Sequence, residues 1–223
     1  MRHKKPKKQG KSILVIGMGR FGKHLALKMQ DLGNMVLAID KEERIMQELM
    51  PHLENILIAD CTSESFIQTL GVRNFDICYV ATGGTFEATI LITSYLKRYG
   101  AKYVVAKAAL DIHISVLKSI GADEVVYPEW TMAEKTAVRH SILGIIDYLP
   151  LSDEYSIYEI EVPPDWIGKD IGHLHIRQNY QLNILTVKGA DIHNAPGVDY
   201  VFEPGDQVVL LGKEEDVLRV CKV

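Results

Sequence analysis

The chain carries, after a short basic segment, a series of short apolar runs that are continuous rather than alternating. Continuous apolarity is typical of strands buried on both faces, as in a parallel sheet. The pattern therefore predicts a set of parallel strands. The runs cover residues 12–16, 35–39, 55–59, 77–81, 103–106 and, more briefly, 124–127.

Segments with helical spacing lie between these runs. Apolar side chains recur three or four residues apart, as at Leu25, Met29 and Leu32, which is the spacing of one helix face. This alternation of strand and helix predicts an α/β fold, a Rossmann-like doubly wound parallel sheet with right-handed crossovers. Pro128 ends the sixth strand. A longer helix is predicted over 130–146, as a crossover helix that packs on a neighbour.

The last third of the chain has a different pattern. Residues 156–162 alternate between apolar and polar side chains until a pair of prolines, Pro163 and Pro164, breaks the run. Strand-like runs at 183–187 and 207–211 and a short helical stretch at 213–220 complete a small α+β C-terminal domain. The expected parts are a basic disordered arm over 1–11, a nucleotide-binding domain with the crossover helix over 12–147, and the C-terminal domain over 148–223.

Composition narrows the class of protein. Of the 223 residues, 47% are hydrophobic and 24% are charged, which is typical of a globular chain. The net charge of −4 argues against nucleic-acid binding by the body of the protein, although the basic arm could touch anionic lipid or nucleic acid. No apolar run approaches the roughly 20 residues that span a bilayer, and no signal segment is visible, so we expect a cytoplasmic protein. The three cysteines lack metal-type spacing and are expected to be reduced structural thiols.

The glycine-rich segment Gly17-Met18-Gly19-Arg20-Phe21-Gly22 carries the strongest chemical signal. It follows a predicted strand, precedes a predicted helix, and is followed by an acidic residue, Asp40, at the end of the second strand. Gly17 permits the tight turn, Gly19 lets backbone approach phosphates, and Gly22 lets the helix pack on the strand. Asp40 is expected to bind ribose hydroxyls and to repel a 2′-phosphate, which favours NAD, ATP or ADP over NADP. The alternatives are a turn without a ligand and a surface carboxylate.

Further candidates lie at the ends of the other strands, where open α/β sheets place their ligands. Asp60, before Cys61, is a candidate for the adenine amino group or, alternatively, a helix cap with Thr62. Two cations, Arg20 and Lys107, are candidates for a terminal phosphate, with a solvated Arg20 as the alternative. The loop after the fourth strand admits close backbone contact or is a plain loop; it consists of Thr82, Gly83 and Gly84.

A small NAD-dependent oxidoreductase is the competing interpretation. Tyr103 and Lys107 have the Tyr-x-x-x-Lys spacing of short-chain dehydrogenases, but those enzymes place the pair on a helix. On a strand the two side chains lie about 13 Å apart, so they cannot couple. The sequence also lacks a His-Glu-x-x-His motif and a nucleophile elbow. We therefore predict a protein that is not an enzyme.

Several segments resemble cytosolic RCK proteins, the regulatory subunits of Trk and Ktr potassium uptake systems, and the Ktr type most of all. They are the glycine loop ending in Arg-Phe-Gly, "LGVRNFD" at 70–76, "AKAALDIHISVLKSIGADEVVYPEWTMAEK" at 106–135, and "LSDEYSI" at 151–157. The resemblance implies homodimers that exchange the crossover helix and assemble into an octameric ring under a membrane-embedded potassium pore subunit, at the inner face of the membrane. A module that regulates another transporter is the further alternative.

The same resemblance implies the ligands. ATP would favour the conducting state and ADP the closed one, while Trk-type relatives also respond to NAD(H). Arg20 would meet the γ-phosphate, and Glu129 would join an inter-subunit divalent cation or sodium site at the phosphates, or else be a plain helix-start carboxylate. The implied nucleotide contacts are Gly17, Gly19, Arg20, Phe21, Gly22, Asp40, Lys41, Asp60, Cys61, Thr82, Gly83, Gly84, Lys107, Ala108, Ala109 and His113.

Many Ktr subunits also bind cyclic di-AMP in the C-terminal domain. Residue types that match that pocket stand at Ile171, Ile176, Arg177, Asn183 and Pro196. Two positions depart from the family pattern: His175 replaces an acidic or amide residue, and Asn179 replaces a small one. Cyclic di-AMP binding is therefore a hypothesis for this chain.

Overall fold

The computed structural model describes residues 10–221, so most of the basic arm lies outside the described residues. Contacts divide the chain into two compact units between residues 129 and 130. Each unit has its own sheet.

The first unit contains a six-stranded parallel sheet in the order β3-β2-β1-β4-β5-β6. This is the doubly wound arrangement, with its switch point between β1 and β4. The predicted fold is confirmed. The strands are β1 (Ser12–Ile16), β2 (Met35–Asp40), β3 (Asn55–Ile58), β4 (Ile77–Val80), β5 (Val104–Lys107) and β6 (Glu124–Val126).

Helices connect successive strands of this sheet and cover it. Their bounds are α1 (Arg20–Asp31), α2 (Glu43–Leu49), α3 (Glu64–Thr69), α4 (Phe86–Arg98) and α5 (Asp111–Ser119). Strand β1 shows why its sequence is continuously apolar: Leu14 and Ile16 belong to one buried cluster, whereas Ile13 and Val15 belong to another. Because successive side chains point to opposite faces, the strand is buried on both sides.

The second unit contains a five-stranded antiparallel sheet in the order β10-β9-β11-β8-β7. Its elements are α6 (Pro128–Ser141, which begins at the end of the first unit), β7 (Ile145–Pro150), β8 (Ser156–Glu161), α7 (Ile171–Leu174), α8 (Ile176–Tyr180), β9 (Asn183–Lys188), β10 (Ile192–Asn194), β11 (Gln207–Gly212) and α9 (Glu214–Cys221). Alternate residues of β8 and β11 face its core, among them Tyr158, Ile160, Val208 and Leu210.

The predicted helix over 130–146 is wrong at its C-terminal end. Helix α6 ends at Ser141, Gly144 takes a φ of 87°, and Ile145 begins a strand that pairs with β8. That pairing buries Ile145 in the core of the second unit. The two compact units meet between residues 129 and 130, earlier in the chain than the expected domain boundary between 147 and 148.

Within residues 10–221, no helix combines the length and apolarity needed to cross a bilayer.

Candidate functional site

A cavity of about 370 Å³ opens at the carboxyl edge of the parallel sheet. It lies where β1 and β4 diverge, which is where open α/β sheets bind their ligands. Many of the predicted nucleotide contacts line it, and its volume is in the range of small-molecule sites. The lining residues are Ile16, Gly17, Gly19, Ile39, Asp40, Lys41, Glu42, Ile45, Ala59, Asp60, Cys61, Thr62, Thr82, Gly83, Gly84, Thr85, Ala88 and Ile92.

Two glycines of the first turn are required by packing. Gly17 has a φ of 97°, and a Cβ there would lie 2.7 Å from the Cα of Thr82. A Cβ on Gly22 would lie 1.9 Å from the carbonyl oxygen of Gly17, a backbone atom that cannot step aside. Gly22 therefore lets α1 approach the turn that ends β1, in line with the prediction, and Gly17 lets the end of the fourth strand approach the same turn.

Gly19 is different, because a Cβ there would meet no protein atom within 4 Å. Its extended backbone (φ −65°, ψ −175°) also suits any residue. Nothing in the protein's own packing thus explains a glycine at this position. The open space beside Gly19 faces the cavity that the residue lines.

Gly19 also precedes the first residue of α1, and no side chain caps the helix there. The first turn of a helix leaves backbone N–H groups without intrahelical partners, and the helix dipole adds a partial positive charge. The 12-residue α1 therefore presents an anion-binding end beside the cavity. Arg20, its first residue, is exposed, whereas Phe21 is half-buried.

The Asp40 carboxylate is held at the end of β2 by two backbone groups. The amide of Met18 donates to its Oδ2 at 2.6 Å, and the amide of Glu42 donates to its Oδ1 at 2.9 Å. Asp40 therefore ties the glycine turn to the second strand. Each carboxylate oxygen has a further lone pair, so the same group can accept hydrogen bonds from sugar hydroxyls in the cavity.

Asp60 and Cys61 follow β3 and differ in their environments. Oδ1 of Asp60 accepts hydrogen bonds from the hydroxyl and the amide of Thr62, at 2.7 and 2.9 Å, and these bonds lower the pKa of the carboxyl. Asp60 thus forms a local turn with Thr62 and also lines the cavity. It is not the helix cap given as the alternative, because the N-cap of α3 is Ser63. Burial raises the pKa of the Cys61 thiol to about 12, so this thiol is an uncharged part of the cavity lining.

The loop after β4 closes the other side of the cavity. Gly83 and Gly84 are exposed, and a Cβ on either would meet no protein atom within 4 Å. Thr82 is anchored through a hydroxyl–hydroxyl hydrogen bond of 2.8 Å to Thr89 on α4. The loop is thus fixed at Thr82, and its two glycines leave backbone groups accessible to a ligand.

Arg20, Phe21 and Gly22 are not among the lining residues of this cavity. The other predicted contacts also lie outside the lining: Lys107, Ala108 and Ala109 at the end of β5, and His113 on α5. Nζ of Lys107 donates to Oε1 of Glu129 at 2.6 Å. The hydrogen bond from Lys107 and the charge of Arg20 lower the pKa of the Glu129 carboxyl. Ala108, the next residue along the chain, is buried, and Ala109 is exposed.

His113 lies on α5, near the same strand end. Its Nδ1 accepts a hydrogen bond of 3.4 Å from the Ala109 amide. Its ring stacks on Phe86, with 3.5 Å between ring centroids and 6° between the ring planes. Phe86, the first residue of α4, was not predicted as a site residue, because an aromatic residue at a helix start carries no ligand signal in sequence. The same holds for three apolar lining residues on helices, Ile45, Ala88 and Ile92.

Tyr103 and Lys107 do not form a catalytic pair. Tyr103 directly precedes β5 and Lys107 is its last residue, as the strand interpretation requires. The Tyr103 hydroxyl donates to Glu124 at 3.2 Å, whereas the Lys107 ammonium binds Glu129.

Across residues 10–221, no cluster of three or more His, Cys, Asp or Glu side chains is arranged to hold a metal. Glu129 alone therefore does not make a metal site. A cation bound there would need phosphate oxygens and water as its other ligands, as magnesium commonly takes.

A second cavity, of about 350 Å³, lies within the second unit. All five residues predicted for cyclic di-AMP line it, and so does His175. His175 joins α7 to α8 in the left-handed region, at φ 45° and ψ 42°. Asn179 is not among the lining residues; its side-chain amide donates to the Leu174 carbonyl. The lining consists of Ile171, Gly172, His175, Ile176, Arg177, Gln178, Leu182, Asn183, Ile184, Pro196 and Val198.

The sheet topology, the glycine turn and the cavity at the switch point define a Rossmann-type nucleotide-binding fold. Residues 13–128 match the TrkA-N domain and residues 157–223 match the TrkA-C domain. The chain is 36% identical to the Ktr system potassium uptake protein C of Bacillus subtilis (strain 168), over 95% of this chain and 96% of that protein. It is 34% identical to the Ktr system potassium uptake protein A of the same strain, with the same coverage. The chain therefore belongs to the family of Ktr and Trk potassium uptake proteins.

Among solved structures, the fold matches the GsuK channel bound to NAD. The TM-score is 0.70 at 17% identity, over 97% of this chain and 40% of that one. The chain thus spans less than half of the GsuK chain, and the likeness is one of fold.

Proposed function

We propose that the chain is a nucleotide-sensing regulatory, or gating, subunit of a potassium uptake system. Family membership supports the transport role. The main support for nucleotide binding is the cavity at the topological switch point, which the glycine turn and Asp40 both line. This cavity places a helix end suited to anions beside a carboxylate suited to sugar hydroxyls. ATP or ADP would place its phosphates at the start of α1 and its ribose at Asp40.

ATP and ADP are proposed as the physiological ligands, with NAD(H) as the alternative. Arg20 supports this preference, since an exposed cation at the start of α1 suits a terminal phosphate that a dinucleotide lacks. An arginine satisfied by ATP and unpaired with ADP provides a physical switch. NAD is tested alongside ATP and ADP because the GsuK channel, which has a similar fold, is known bound to NAD.

The test is calorimetry of the full chain with ATP, ADP and NAD, together with native mass spectrometry of co-purified ligand. We expect ATP and ADP to bind, and Asp40→Ala to weaken ATP binding at least tenfold, which is about 1.4 kcal/mol. Asp31→Ala, an exposed carboxylate at the far end of α1, is the matched control and should bind normally. An Asp40→Ala variant with unchanged affinity and an unchanged melting curve would contradict the ribose assignment.

Assembly with a second copy of the chain is supported by α6. Helix α6 contains no buried residue, and Trp130 and Met132 on it are 52% and 62% exposed. We infer that a second copy covers this helix by exchange, and that dimers build an octameric ring. Native mass spectrometry should show even-numbered assemblies that Trp130→Ser/Met132→Ser disrupts. Leu32→Ser, a similarly exposed residue at the end of α1, should leave them intact.

The cavity of the second unit is proposed to bind cyclic di-AMP. Branched apolar side chains can pack against the bases, and Arg177 supplies a cation for the phosphates. Calorimetry of the full chain with cyclic di-AMP should give heat that Arg177→Ala abolishes. Absence of heat with the wild-type chain would refute this ligand.

The proposed partner is a membrane-embedded Ktr- or Trk-type pore subunit, with this chain cytoplasmic and bound at the inner face of the membrane. Co-expression with such a pore in a strain lacking potassium uptake should restore growth at low potassium, and Asp40→Ala should reduce that growth. If another transporter instead depends on the chain, the regulatory role stands but the partner is wrong. No chemical reaction is proposed, so sustained NADH oxidation with a panel of carbonyl compounds would favour the oxidoreductase.

A further inference from the structure

The loop after β4 is held at both ends by contacts with helices. At its start, the Thr82 hydroxyl shares a 2.8 Å hydrogen bond with the Thr89 hydroxyl. Just beyond its end, the Phe86 ring lies flat against the imidazole of His113 on α5, with 3.5 Å between the ring centroids and 6° between the planes. The two exposed glycines of the loop lie between these points, and glycine leaves the backbone unusually free. The conformation of the loop therefore depends on its two ends.

The imidazole of His113 is engaged by the protein itself on one face and at one nitrogen. Phe86 covers the face, and Nδ1 accepts the 3.4 Å hydrogen bond from the Ala109 amide. Neither His113 nor Phe86 lines the nucleotide cavity, whereas Thr85, the residue directly before Phe86, does. These contacts of His113 thus reach the end of the loop and not the cavity.

We propose that Phe86 and His113 are positioning residues for nucleotide binding, and that His113 acts through the Phe86 ring without touching the nucleotide. This inference rests on the proposed function, since the loop forms one wall of the nucleotide cavity. Rings 3.5 Å apart and nearly parallel are in van der Waals contact across their faces. A loop that is already held in its bound conformation loses less freedom when the ligand arrives, which strengthens binding.

Support through the ring and direct contact with the nucleotide predict different results for the same substitution. Phenylalanine at position 113 keeps a flat ring at the stack but has neither of the two nitrogens. If the ring is what matters, His113→Phe should recover most of the affinity that His113→Ala loses. A histidine that donated a hydrogen bond to the nucleotide would lose that bond equally in both variants.

The experiment is calorimetry of ATP with the full chain. Phe86→Leu and His113→Ala should each lower ATP affinity about fivefold, the effect of losing one stacked pair. The double variant Phe86→Leu/His113→Ala should lose little more than either single one, because all three lack the same stack. Phe86→Tyr and His113→Phe, which keep two flat rings, should bind ATP more tightly than Phe86→Leu and His113→Ala.

Hydrogen exchange of the nucleotide-free protein separates positioning of the loop from a general loss of stability. The amides of residues 83–85 should exchange faster in Phe86→Leu and in His113→Ala, while the amides of the parallel strands keep their wild-type rates. Tyr95→Leu is the matched control, because the Tyr95 ring lies on the same helix, 5.7 Å from the Arg98 guanidinium, and outside the cavity lining. It should leave both ATP affinity and exchange of the loop unchanged.

Two results would overturn this role of the stack. One is an equal loss of ATP affinity in His113→Phe and His113→Ala, which would assign the effect to a nitrogen of the imidazole. The other is wild-type ATP affinity in Phe86→Leu. Both leave the proposed nucleotide binding intact, whereas absence of ATP binding by the wild type would overturn the proposed function as well.

Discussion

One added methyl group should lower stability at one glycine of the first turn and ATP affinity at another. In Gly22→Ala the new Cβ would lie 1.9 Å from the carbonyl oxygen of Gly17 and 3.1 Å from the Cβ of Ala81. Overpacking of this kind costs about 1–3 kcal/mol, and alanine recovers up to about 1 kcal/mol of that in a helix. Because the near contact is with backbone, we expect the clash to dominate and the free energy of unfolding to fall by about 2 kcal/mol.

Gly19→Ala has no such clash, since a Cβ there meets no protein atom and the backbone is already extended. The expected loss of stability comes only from the N-cap position, where alanine is poorer than glycine, and it is about 1 kcal/mol or less. The new methyl group occupies the space in which the phosphates are proposed to lie. ATP affinity should therefore fall at least tenfold, or about 1.4 kcal/mol.

Urea denaturation of nucleotide-free protein measures the first effect, because bound nucleotide would itself stabilise the folded state. Calorimetry with ATP measures the second. His24→Ala, an exposed position on the same helix, serves as the control for both. Wild-type ATP affinity in Gly19→Ala would refute the idea that phosphates approach Gly19. Wild-type stability in Gly22→Ala would refute the packing explanation of Gly22.

Three further predictions concern stability and reactivity. Asp206 is 5% exposed and its Oδ2 accepts hydrogen bonds from the Tyr200 hydroxyl and the Glu203 amide, so Asp206→Ala should lower the free energy of unfolding by about 1–3 kcal/mol in urea denaturation. Burial and the hydrogen bond to Asp206 raise the pKa of Tyr200 to about 12. The contribution of this group to the free energy of unfolding is therefore complete below the usual tyrosine pKa and is lost as the pH rises through about 12. Urea denaturation at increasing pH should show this loss in the wild type and lack it in Tyr200→Phe. Cys61, with its pKa raised to about 12, should react with iodoacetamide far more slowly in native protein than in urea, and comparable rates would contradict its burial.

The sequence predicts the first unit well for a physical reason. A central parallel strand is buried on both faces, and β1 consequently shows an unbroken apolar run that a glycine turn ends. The carboxyl ends of all parallel strands meet at one edge of the sheet, so residues far apart in sequence, such as Asp40 and Thr82, could be assigned to one site from strand positions alone.

The same reasoning fails where side chains rather than strand ends build the structure. The first two residues of β7 fall within the predicted helix, because Ile145 continues the helical spacing of α6, and only pairing with β8 decides between helix and strand. The apolar lining residues Ile45 and Ile92 look like ordinary core residues of α2 and α4. Their exposure to a cavity depends on how far each helix stands from the sheet.

The two cavities differ in what builds them, and this difference bears on how specific each can be. The first is bounded largely by strand ends and bare glycine backbone, which any sequence with the same turns would reproduce. The second depends on side chains from short segments, and three non-glycine residues at or next to its lining adopt positive φ: His175, Gln181 and Ala195. Left-handed backbone at such residues costs about 1–2 kcal/mol each, a cost that the surrounding contacts must offset. Any ligand selectivity of the second cavity would therefore be set by individual side chains of its lining, such as His175.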